Sequence, residues 1–155
     1  MTAIRISHVI GYFDADSGGA QQVIKGICEG LTGEGIEHSV IYLFGQATLA
    51  SALPHEVSIC HVKAIGQFYR PKWVKMRQAL RALKPDIVHV HSLVAGLVAR
   101  PTARLENIPS ITTVHNTKFA YGLRHYLSEL ATLPLSSGVI GVSDLVTQHI
   151  TPCSK

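Results

Sequence analysis

Cysteine is scarce: Cys28, Cys60 and Cys153 are the three in 155 residues, odd in number, far apart and without a C-x-x-C pair. That spacing excludes a disulfide framework and a cysteine zinc site. Long apolar runs are missing as well. Apolar residues make up 46% of the chain, but they fall in short runs, none near the roughly 20 residues that a bilayer-crossing helix needs. Met1 to Ser7 lacks the basic-then-apolar layout of a secretory leader, so a cytoplasmic protein is expected. Acidic residues vanish between Val57 and Pro85, where Lys63, Arg70, Lys72, Lys75, Arg77, Arg81 and Lys84 all fall. The net charge of +4 is therefore concentrated locally. Such a patch attracts anionic lipid, phosphorylated ligands or nucleic acid through one Coulomb term, but no nucleic-acid-binding motif accompanies it. Nucleic acid is not expected as a partner.

What is present is an alternation of strand and helix signals. Ile4 to Ile10 is β-branched and stops at Gly11; Gly18-Gly19 then opens a helix from Ala20, with Val23, Ile24, Ile27, Cys28 and Leu31 at helical spacing and Gly33 and Gly35 as stops. His38 to Phe44 reads as a second strand and Val57 to Val62 as a third. A helix over Lys72 to Leu83 follows, closed by Pro85. Ile87 to His91 is an apolar strand, and Leu93 to Leu105 a helix with a kink or restart expected at Pro101. Ser110 to Val114 is a strand, Leu123 to Leu133 a helix and Val139 to Val142 a short strand, with Ser143-Asp144 as N-cap of a last helix. Strands apolar on both sides, alternating with helices, imply an α/β fold: a doubly wound parallel sheet in one Rossmann-like domain over residues 1–150, with 151–155 as a tail.

In such sheets ligands sit beyond the carboxyl ends of the strands. Four polar stretches fall there: Asp14 to Gly19, His91-Ser92, His115-Asn116-Thr117 and Ser143-Asp144. Gly18 and Gly19 remove two side chains where helix-start amides point outward, which suits a phosphate; a plain tight turn is the alternative, and Asp14 and Asp16 oppose an anion unless they point away. His115 should emerge at a strand end, where a sugar hydroxyl or general-base role competes with a structural one. His89 and His91 lie two apart on one strand face, a spacing with which zinc sites begin, although no H-E-x-x-H or H-x-x-E-H accompanies them. Alternatively, one packs in the sheet and the other is hydrogen-bonded at its rim. The basic helix presents Arg70, Lys72, Trp73 and Lys75 as a contact for membrane or an anionic acceptor, set against ordinary core packing with a solvated face.

Taken in order, Gly18-Gly19-Ala20-Gln21-Gln22-Val23, Lys84-Pro85-Asp86-Ile87-Val88-His89-Val90-His91-Ser92, Thr113-Val114-His115-Asn116 and Val139-Ile140-Gly141-Val142-Ser143 resemble family-4 glycosyltransferases over almost the whole chain. The resemblance implies half of a GT-B fold: the N-terminal, acceptor-side domain of a retaining, nucleotide-sugar-dependent glycosyltransferase, with the donor-binding domain absent. It implies that Gly18 and Gly19 approach the donor diphosphate and that His115 is the catalytic-site residue lining the transferred sugar. His91, Asn116 and Ser143 would line the acceptor or sugar pocket. No cofactor and no metal are expected, the nucleotide-sugar being a substrate. Partners would be that donor, a glycan or lipid-linked acceptor, a donor-binding domain in trans or a second copy, and the inner face of the membrane. Alone, the chain is expected to be inactive. Two readings stand beside this one: a non-catalytic module that binds glycan or lipid-linked sugar, and a zinc-dependent hydrolase using His89 and His91.

Overall fold

A computed structural model describes residues 3–16, 18–63, 69–115 and 123–150. Six strands, β1 (Ile4–Tyr12), β2 (Ile36–Phe44), β3 (Ser58–His61), β4 (Ile87–Val90), β5 (Ser110–Val114) and β6 (Gly138–Gly141), alternate with helices α1 (Gly19–Leu31), α2 (Tyr69–Leu83), α3 (Leu93–Leu105), α4 (Leu123–Thr132) and α5 (Asp144–Ile150). All strands pair in parallel, in the order β3-β2-β1-β4-β5-β6. This is the Rossmann-like, doubly wound arrangement expected from the alternation. The chain steps outward from β1 to β3, then crosses back through α2 to lay β4 on the other side of β1. That reversal opens a crevice at the carboxyl ends of β1 and β4.

The two faces of the sheet are packed differently. On one, Val9, Ile41, Leu43, Val88 and Val90 meet Met76 and Leu80 of α2 and Val98, Ala99 and Ala103 of α3. Each large aliphatic side chain buried there contributes roughly 1.5–3 kcal/mol. Arg100 of α3 is the largest polar side chain buried there. Fully buried, it donates to Thr112 Oγ1 at 3.0 Å, Thr132 Oγ1 at 2.8 Å and both carboxylate oxygens of Glu129 at 3.2 and 2.6 Å, tying α3 to β5 and α4. Gly96, one turn earlier, makes room: a Cβ there would lie 2.5 Å from the guanidinium carbon. On the opposite face Ile10, Val40 and Tyr42 pack with Ile24 and Cys28 of α1. Strand alternation puts His8, His38, His89 and His91 on that same face.

Several expected boundaries move. β1 runs through Gly11 to Tyr12, because Ile10 and Tyr12 still pair with Tyr42 and Phe44. α2 begins three residues early and takes Pro71 into its first turn, where a missing N–H breaks no intrahelical bond. α3 continues through Pro101 without a restart. Val23 and Leu31, expected on the buried stripe of α1, are each 38% exposed, whereas Gln21 is buried. A short 3-10 turn over Thr48–Ala52 had no sequence signal.

Candidate functional site

A cavity of about 600 Å³ occupies the crevice where β1 and β4 diverge; Gly11 and Tyr12 of β1, Gly18, Gly19, Gln21 and Val23 around the start of α1, His91 and Ser92 after β4, His115 after β5 and Val142 after β6 all line it. Gly18 is the N-cap of α1 with φ 111° and ψ −166°, a backbone region essentially confined to glycine. No side chain caps this helix, so its first amides face the cavity side with the positive end of the helix dipole. Asp14 does point away: its Oδ1 accepts from the backbone N–H groups of Gln46 at 3.1 Å and Thr48 at 3.2 Å, anchoring the loop after β2. Ser92 closes the floor. Its hydroxyl oxygen accepts from Gly11 N at 3.0 Å and from Ala95 N at 3.3 Å, joining β1 to the start of α3.

Among the described residues four buried side-chain polar atoms have no hydrogen-bond partner: Gln21 Oε1, His91 Nδ1, His115 Nε2 and His38 Nε2. The first three belong to residues that line this cavity. Buried polar groups are normally paired, so three orphans on residues that line one cavity set it apart from the rest of the described core. Gln21 is oriented by its amide, which donates to the Tyr12 carbonyl at 2.9 Å. Burial lowers the pKa of His115. Burial first, and then the nearby His89, His8 and His115, hold His91 well below the usual imidazole range. Both rings are therefore neutral at pH 7 and can each offer one lone pair.

The remaining expected positions divide. Ser143 is exposed, and its hydroxyl accepts from Val146 N at 3.3 Å as a cap of α5; Val142 forms the cavity wall there instead. Asn116, the 151–155 tail and the side chain of Arg70 lie outside the described residues. The grouping of Lys72 with an exposed basic surface is corrected: Lys72 is only 8% exposed, its ammonium 5.0 Å from the centre of the Phe44 ring, because the stripe of α2 that buries Met76 also turns Lys72 inward. Lys75 donates to the Lys63 carbonyl at 3.1 Å, and Arg77 and Arg81 both pair with Glu106. Trp73 and Val74 remain outward, 39% and 58% exposed.

His89 and His91 share a face as expected, and His8 joins them, with ring nitrogens of the three within 4.8 Å of one another. No carboxylate belongs to this group or to the second such group, His8, Cys28 and His38. His89 Nε2 is engaged by Thr113 Oγ1 at 2.7 Å. Sequence reasoning did not select Gln21 or His8 as site residues, and it named Ser92 only together with His91 as a polar strand end. Gln21 carried a signal, a polar residue on an otherwise apolar helix stripe; His8 had none until its pairing with β4 placed it opposite His89.

The family model for Glycosyltransferase Family 4 matches residues 17–153, a span from the glycine turn to beyond α5. This chain belongs to that family. No curated protein matches it. Among solved structures, the family-4 domain is similar to HepE from Anabaena, in a structure with UDP and glucose, at 15% identity and TM-score 0.76 over 97% of this chain and 41% of that one. It is similar to the lipopolysaccharide outer core galactosyltransferase WaaB, at 14% identity and TM-score 0.75 over 98% and 43%. The UDP-GlcNAc 2-epimerase from Methanocaldococcus jannaschii matches at 15% identity and TM-score 0.68 over 96% and 42%. At these identities the likeness establishes the fold, which transferases and epimerases share. The chain spans less than half the length of the proteins it matches. Among the described residues no helix is long and apolar enough to cross a membrane.

Proposed function

We propose that this family-4 domain is the acceptor-side half of a glycosyltransferase that moves a sugar from a nucleotide-sugar to a glycan or lipid-linked acceptor. The observation that carries the reading is that Gln21, His91 and His115, each with an unpartnered buried polar atom, all line the cavity that the Gly18-Gly19 turn borders. Neutral imidazoles and an amide oxygen suit sugar hydroxyls, which both donate and accept. The glycine turn sets helix amides toward one side of the cavity, where a diphosphate would gain from the dipole. His115 is the residue that would touch the transferred sugar, with Asn116 following it in the chain.

Chemically, such a site orients a hydroxyl and stabilises charge on the departing diphosphate. A cleft needs a second wall to hold most of the donor, whether from another domain or another copy. Transfer with retention, without a metal and at the inner face of the membrane, is part of the same reading, with Trp73, Lys75 and Arg70 as the surface toward lipid or an anionic acceptor. The family assignment favours transfer over the zinc hydrolysis that His89 and His91 suggested. Calorimetric titration decides: the 155-residue chain should take up a glycan or lipid-linked acceptor, bind nucleotide-sugars weakly and show little turnover. Strong uptake of nucleotide-sugar with brisk turnover by this chain alone would overturn the division of labour. Binding of acceptor without any effect of substituting His115 would leave a non-catalytic module.

A further inference from the structure

The fourth orphan atom, His38 Nε2, is not in the cavity described above. It belongs to a residue lining a second cavity, of about 320 Å³, toward the amino ends of β1 and β2, bordered also by Glu37 and Glu56. Between the two cavities lie three imidazoles in line. His91 Nε2 is 3.1 Å from His8 Nδ1, and His8 Nε2 is 3.1 Å from His38 Nδ1. The exposures of His91, His8 and His38 are 1%, 0% and 4%. Burial lowers the pKa of all three, with the neighbouring imidazoles adding to the effect on His8 and His91, so the row is neutral near pH 7. Cys28, whose thiol sits near His8 and His38, is pushed up to about 11 by burial and brings no charge.

A neutral imidazole has one N–H and one lone pair, and that limits the row to two states. If His91 donates through Nε2, His8 must accept at Nδ1, carry its proton on Nε2 and donate to His38, which then carries its own on Nε2. If His38 donates through Nδ1, the order reverses and all three carry the proton on Nδ1. In the first state His91 carries a lone pair on Nδ1, the nitrogen not bonded to His8, and His38 an N–H on Nε2; in the second these roles swap.

We propose that His8 and His38 are positioning residues for His91: a three-imidazole wire across one face of the sheet couples the two cavities, so the tautomer at His38 sets whether His91 accepts from or donates to a hydroxyl in the candidate site. A proton taken up at His91 Nδ1 moves the His91 Nε2 proton to His8 Nδ1. The His8 Nε2 proton then passes to His38 Nδ1, and the His38 Nε2 proton leaves into the second cavity. One proton enters and one leaves, and the row ends in its second state. The inference builds on the ligand site proposed above, but its structural claim stands without any ligand.

Nitrogen-15 histidine spectra of the unliganded chain at neutral pH test it. The expected result is one shared tautomer, or one shared equilibrium, for His8, His38 and His91, with nitrogen–nitrogen coupling across both hydrogen bonds. The substitution His38→Met leaves only an acceptor at the far end, so His91 should then hold its proton on Nε2 alone. Unlike tautomers within the native row, or an Nδ1 proton on His91 in the His38→Met chain, would overturn the wire. So would stoichiometric zinc in the purified protein, since a metal would take the nitrogens that face one another. None of these outcomes depends on acceptor binding, so failure here is separable from failure of the transferase reading.

Discussion

The two faces of the sheet do opposite work with the same six strands. The face under α2 and α3 is aliphatic, with its one buried guanidinium fully bonded. The face under α1 carries a row of buried imidazoles, some of whose nitrogens have no partner. A satisfied core is stabilising in any solvent condition that leaves the chain folded, whereas unpaired or weakly basic groups stabilise nothing by themselves and are retained where a ligand or a proton meets them. Stability should therefore reside on the first face and ligand and pH sensitivity on the second.

Acid should expose that difference most strongly. His8 has its pKa lowered to about 3, chiefly by burial and then by the charges of His89 and His38. His89 is lowered to about 4 by burial and by His115, and His91 is lowered too. The unfolded chain binds these protons at about pH 6.5. Above that pH neither state is protonated and full stability is present; below it the unfolded state binds more protons and stability falls toward the folded-state values. Stability should therefore fall steadily as the pH drops below about 6.5 toward the folded-state values. Urea denaturation at a series of pH values, followed by circular dichroism, checks this, and a stability that does not fall between pH 7 and pH 5 would contradict the burial of neutral histidines.

On the aliphatic face, Arg100→Ala should cost roughly 3–5 kcal/mol in urea denaturation, because it strands Glu129 and leaves a void, without altering the tautomers of the imidazole row. At the rim, Gly18→Ala should cost about 1–3 kcal/mol, since φ 111° with ψ −166° strains any side chain. Gly19→Ala, at a position with no atom near the added Cβ, should leave the melting temperature almost unchanged yet weaken binding of a diphosphate. If the two glycine variants lose stability equally, the strain assigned to Gly18 is wrong. The smallest effect expected is that of Lys75→Glu, within about 0.5 kcal/mol in stability as a surface change, but reducing sedimentation with anionic vesicles.

Much of this was legible in the sequence where a local rule suffices. The strand–helix alternation, the glycine turn before α1, the rim positions of His91 and His115 and the cap at Ser143 follow from periodicity and strand ends. Lys72 was misplaced because a helix's basic residues read as solvated until the packing of Met76 and Leu80 fixes which stripe is inward. Asp14 read as an obstacle to an anion because its partners, the amides of Gln46 and Thr48, are more than thirty residues away. Pro101 read as a break, but the surrounding contacts of α3 outweigh the one hydrogen bond it lacks.

The amino-acid sequence by itself determined the layered α/β architecture and which residues stand at strand ends, because both depend on spacing along one element. Only the tertiary structure decided that His8, His38 and His91 form one row, that Gln21, His91 and His115 face one cavity, and that Arg100 is satisfied. Those facts depend on register between strands and on which helix covers which face. A one-residue shift of pairing would send the imidazoles carried by the strands to the other side.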